Sequence, residues 1–93
     1  MRLRDRQLLV KDMNVSSEGI AHLLHDYGQY VSQEQASFIR AYTRALEQDF
    51  EHAMTRGEND QLRNVLEDLQ ELEQDTFKRL VEVKSLKSVQ SDL

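Results

Sequence analysis

His22 and His25, with Glu18 and Asp26 close by, come nearest in type and spacing to a chemical site in this chain. Separations of three and four residues bring side chains to one helix face, and imidazole combined with carboxylate is a zinc-binding set. On a helical wheel, however, all four fall away from the apolar face of Ile20, Leu24 and Tyr27 and point to solvent. A zinc site also needs groups that orient its imidazoles. His52 is the remaining histidine, and no spacing places it nearby, so neither a metal nor a cofactor is expected.

Nucleophilic chemistry has no better foothold. The chain has no cysteine, no Gly-x-Ser-x-Gly turn, no glycine-rich phosphate loop and no His-Glu-x-x-His pair. The carboxylate pairs Glu67/Glu71 and Asp68/Asp75 have a spacing that acid–base catalysis can use. They fall on a convex helix surface where nothing excludes water, a poor setting for such work. An enzyme is not expected.

Charge is the next candidate. The net charge is −5, and it is unevenly placed. Between positions 58 and 77 stand Glu58, Asp60, Glu67, Asp68, Glu71, Glu73 and Asp75 against Arg63 alone, with Lys78, Arg79, Lys84 and Lys87 following. An acidic beginning and a basic end suit the dipole of a single helix. The functional alternative is that Asp60, Glu67, Asp68, Glu71 and Asp75 form a partner-binding acidic face. Such a face could act as a nucleic-acid mimic that inhibits a nucleic-acid-binding protein or enzyme. Direct DNA binding ranks third. Ser17–Leu24 has the spacing of the first helix of a helix-turn-helix, but the following segment opens Gln33-Glu34-Gln35 and lacks a cluster of basic residues. A negative chain gains little from counterion release on phosphates.

The elements that would position these residues are helices. No proline and only three glycines interrupt 93 residues, with 39% hydrophobic and 31% charged. Residues 1–13 read as a basic arm or short helix carrying Arg2, Arg4, Arg6 and Lys11. Asn14-Val15-Ser16-Ser17 then reads as a break with a serine N-cap. Residues 14–86 form one helical domain, with helices expected over about 17–31, 33–56 and 60–86, and 87–93 as a frayed tail. Gly28 could end the first helix in the left-handed conformation, or that helix could run on through it. Ser32-Gln33-Glu34-Gln35 matches a capping box, and Gly57 stops the next helix.

The expected fold is all-α: a long antiparallel hairpin of the last two helices, with the shorter N-terminal helix packed on it. The seam is read as Ile39, Tyr42, Leu46 and Phe50 against Leu66, Leu69, Leu72 and Leu80, with Phe38, Ala45 and Phe77 also buried. Asp49 and Glu73 fall inside these stripes and need partners. Tyr42 is expected to serve Glu73, and either Arg56 or a basic residue of the N-terminal arm to serve Asp49. A core this small suggests that the three-helix unit dimerises into a larger bundle.

No apolar run reaches the roughly 18 residues that a membrane span requires. The start has only Leu8-Leu9-Val10 where a signal peptide has a longer apolar stretch, so the cytoplasm is the expected location. The leading expectation is a small helical protein–protein interaction module. It would be a regulatory, adaptor or chaperone-like subunit that takes a partner into an apolar helical groove.

Overall fold

The computed structural model describes residues 3–91, with side chains described from 4 to 86. Three α-helices follow one another: α1 (Leu3–Asp26), α2 (Gln33–Arg56) and α3 (Asn59–Ser91). A 3-10 turn, Gly28–Tyr30, separates the first two, and no strand occurs among the described residues. The helices lie side by side in a rod of 56 × 22 × 17 Å. Helix α3 is the middle member, since α1 and α2 both pack chiefly on it and touch each other less.

The packing follows a step of three and four residues in each helix, the spacing that keeps one stripe facing a neighbour. Helix α1 buries Met13, Ser16, Ile20 and Leu24, and α2 buries Ala36, Thr43, Leu46, Phe50 and Ala53. Helix α3 buries Leu62, Val65, Leu66, Leu69, Thr76 and Leu80. Ile20, Leu62 and Leu69 are the largest side chains wholly shut off from solvent. Each contributes about 1.5–3 kcal/mol by burial. The hydroxyl of Thr43 is satisfied within its own helix, donating to the Ile39 carbonyl at 2.8 Å.

Local hydrogen bonding explains where α2 begins and ends. Ser32 Oγ accepts from the Gln35 N–H at 3.1 Å, and Gln35 Oε1 accepts from the Ser32 N–H at 3.4 Å, which completes the capping box. At the other end Gly57 adopts φ 70° and ψ 25°. Its N–H reaches the Met54 carbonyl at 3.3 Å while the Glu58 N–H reaches that of Ala53 at 2.9 Å. This is the Schellman arrangement, and it uses two carbonyls that a helix end otherwise leaves bare. Arg6 adds a tertiary cap, donating from Nη2 to the Met54 carbonyl at 2.7 Å. A guanidinium at the negative end of a helix dipole is favourably placed. The turn between α1 and α2 is held to α3 by Lys84, whose Nζ lies 5.4 Å from the centre of the Tyr27 ring.

Several expectations need correction. Helix α1 does not break at Asn14–Ser17, nor is the basic segment a separate arm. Leu9, Val10, Met13, Ser16 and Ile20 share one stripe against the core, and that packing outweighs the few tenths of a kcal/mol by which Asn and Ser disfavour a helix. The first helix ends at Asp26, short of 31. Gly28 is not left-handed: among the described residues Gly57 alone has positive φ. Helix α3 continues through Ser91, past the expected tail boundary at 87. The side chains of 87–93 and the backbone of 92–93 lie outside the described residues.

Candidate partner-binding groove

The seam residues divide into two groups. Leu46, Phe50, Leu66, Leu69 and Leu80 are buried, while Ile39 and Leu72 are half-buried beside the core. Tyr42 is not in the seam. It is 42% exposed, and Phe38 is 68% exposed, with the two rings stacked at 6.2 Å between centroids. Ala45 and Phe77 also face solvent. The reason is register. The buried line of α2 runs Ala36, Ile39, Thr43, Leu46, Phe50, Ala53, and its short members Ala36 and Thr43 occupy places where a larger ring was expected. Phe38 and Tyr42 therefore fall on the flank.

Glu73 does not meet Tyr42. It is half-buried on the α1 side of α3, with its carboxylate lying directly over Gly19, where an added Cβ would collide with Oε2. Gly19→Ala therefore has two opposed effects: a helix-propensity gain of about 1 kcal/mol and the displacement of Glu73. The gain should appear in full only in a Glu73→Ala background, giving a coupling of roughly 1 kcal/mol in a four-protein urea-melt cycle. Strictly additive melts would show that the carboxylate does not occupy that site. Asp49 is exposed and does not pair with Arg56, whose partner is Glu58 at 3.9 Å.

The flank that Phe38 and Tyr42 occupy is one wall of an open groove between the first half of α2 and the middle of α3. Its volume is about 860 Å³. Val31, Ile39, Leu72, Thr76, Leu80 and Val83 form its apolar part, and Tyr30, Phe38 and Tyr42 stand along the α2 side. Along the α3 side stand Asp68, Glu71, Asp75 and Glu82, with Glu34 across from them on α2 and Arg79 as the one cation among the described lining residues. Asp68, Glu71, Asp75 and Glu82 recur at steps of three, four and seven, which sets them along one edge of the helix.

Two features that sequence reasoning kept apart thus meet here. Of the acidic face, Asp68, Glu71 and Asp75 line the groove, whereas Asp60 and Glu67 do not. Glu34, Glu82, Val31, Val83 and Tyr30 went unnoticed as lining residues. The signal that could have found them is the mismatch between the wide apolar stripe of α2 and the narrower line that two neighbouring helices can cover.

The lining contains no histidine, cysteine, serine or lysine among the described residues. Among the described residues no three His, Cys, Asp or Glu converge as a metal site would require, and His22 and His25 face solvent. No described helix is long and apolar enough to cross a membrane. What this surface offers is area, shape and charge, the means by which proteins recognise segments of other proteins. No protein-family model, no curated protein and no solved structure matches the chain.

Proposed function

We propose that this chain is a small, non-enzymatic protein–protein interaction module in which α2 and α3 form an antiparallel hairpin that takes an amphipathic segment of a partner into its groove. In this role it serves as a regulatory, adaptor or chaperone-like subunit. The observation that carries the reading is the exposure of Phe38 and Tyr42 beside half-buried Ile39 and Leu72. Stacked aromatic rings left in water next to an apolar trough are the usual anchors of helix-in-groove recognition.

The Phe38→Asp/Tyr42→Asp variant tests it. Both side chains face solvent, so helical circular dichroism and the melting temperature should stay close to those of the parent. Affinity for synthetic amphipathic helices should fall on the order of 30-fold, the loss of about 2 kcal/mol typical of aromatic anchors. Undiminished binding by the variant would remove the groove from the mechanism.

The acidic-inhibitor reading draws some support from the unpaired acids along α3. Salt dependence alone does not separate it from the groove, because the groove carries acids of its own. The aromatic variant does: a nucleic-acid mimic that works by charge would survive loss of Phe38 and Tyr42. Nothing in the described surface favours a DNA-binding regulator. A homodimer closed groove to groove would set one acidic rim against another. Charge therefore argues for a different protein as occupant, and a melting temperature independent of protein concentration is the expected result.

A further inference from the structure

We infer that the occupant of the groove is a basic amphipathic helix, about four turns long, supplied by a different protein. This rests on the groove reading above and adds the size and charge of what enters. The α2 wall runs from Tyr30 to Tyr42 and the α3 wall from Asp68 to Val83. At 1.5 Å per residue the α3 span is roughly 22 Å, the length of a helix of about 15 residues.

The two walls differ in chemistry, and that difference orients the guest. Apart from Glu34, the α2 wall offers chiefly rings, which suit an apolar ridge of residues at i, i+3, i+4 and i+7. The α3 wall offers carboxylates that pair with no cation among the described residues. Arg56–Glu58 is the single ion pair among the described residues, so Asp68, Glu71, Asp75 and Glu82 have no salt-bridge partner among those residues. Arg79 stands alone against them. A guest with lysines or arginines along one flank, spaced by three and four residues, would meet Asp68, Glu71 and Asp75 in turn. Opposite Arg79 it would carry a neutral or acidic residue.

A second copy is a poor source of such a segment. The basic apolar stretch of this chain is the start of α1, and it is already engaged. Arg6 holds the Met54 carbonyl, while Leu9 and Val10 pack on the core. Lys84, near the other basic end, sits over Tyr27.

The test uses labelled synthetic helices of about 16 residues sharing one leucine ridge, with lysine, glutamine or glutamate on the flanks. A fourth peptide keeps the lysines and replaces the ridge with glutamine. Fluorescence anisotropy at ~50 mM salt should show the lysine-flanked helix binding about 10-fold or more tighter than the glutamate-flanked one, a gap that narrows at ~500 mM. In Asp68→Lys/Asp75→Lys the preference should reverse. Asp60→Lys/Glu67→Lys makes the same change in net charge on exposed positions outside the groove, and should leave the ranking intact.

Equal binding of the three ridge peptides would keep the groove and overturn the basic guest. Equal loss in both double variants would overturn it too, by tracing the preference to net charge. Tight binding of the ridge-less lysine peptide, or no binding of any peptide, would remove the groove reading together with this one. A dimer seen in sedimentation that dissociates as the lysine-flanked peptide is added would make the second copy the native occupant, against the proposal.

Discussion

Leu69→Asp is expected to leave the chain without a cooperative thermal transition. Leu69 is 0% exposed and lies on α3, the helix on which both others pack. The substitution removes about 1.5–3 kcal/mol of apolar burial, leaves a partly filled space, and introduces a carboxylate that cannot reach water. Together these effects exceed about 4 kcal/mol. A domain of this length has roughly 5–14 kcal/mol in total, and a core of this size places it toward the low end. Far-UV circular dichroism and a melting curve check the result. Two controls isolate the cause. Leu69→Met keeps volume and apolarity and should cost less than about 1.5 kcal/mol. Leu86→Asp puts the same charge at a leucine that is 64% exposed and should change little. A cooperative melt near the parent temperature for Leu69→Asp would contradict the central position of this side chain.

The second large effect belongs to Gly57→Val, and it acts through the backbone alone. A Cβ at Gly57 would meet nothing within 4 Å, so crowding does not enter. The cause is φ 70°, a conformation in which the side chain of an L-residue crowds its own carbonyl. A β-branched residue is worst placed there, at a cost of roughly 2 kcal/mol. For a domain of this size that corresponds to a fall of about 10 °C in melting temperature. Gly57→Asn should lose much less, because asparagine tolerates this region. If valine and asparagine melt alike, the left-handed cap is not what ends α2. Because the same carbonyl of Met54 receives both Gly57 and Arg6, loss of the turn should also loosen the grip of α1 on that end.

Much of the organisation is written in short stretches of sequence. The capping box at Ser32 and the backbone stop at Gly57 depend on groups within five residues of one another, so they can form before any helix meets its neighbour. The all-helical class follows from the missing prolines and the repeated step of three and four. Burial of Leu46, Phe50, Leu66 and Leu69 was equally legible, because these lie at the centre of their stripes.

Tertiary contact decided what lies at the edges of those stripes. An apolar band wider than the line a neighbour covers leaves its margin undetermined, and so Phe38 and Tyr42, read as core, became the wall of a groove. The same holds for Glu73, whose carboxylate finds room over the small residue Gly19 on a helix far away in sequence. It holds again for the continuity of α1 through Asn14 and Ser17, where contact with α3 overrode a weak local preference. Sequence thus determined the helical class and two helix ends, through interactions between near neighbours in the chain. Only the side-by-side placement of the three rods decided which margins stay in water, because that depends on how much of each face two neighbours can reach.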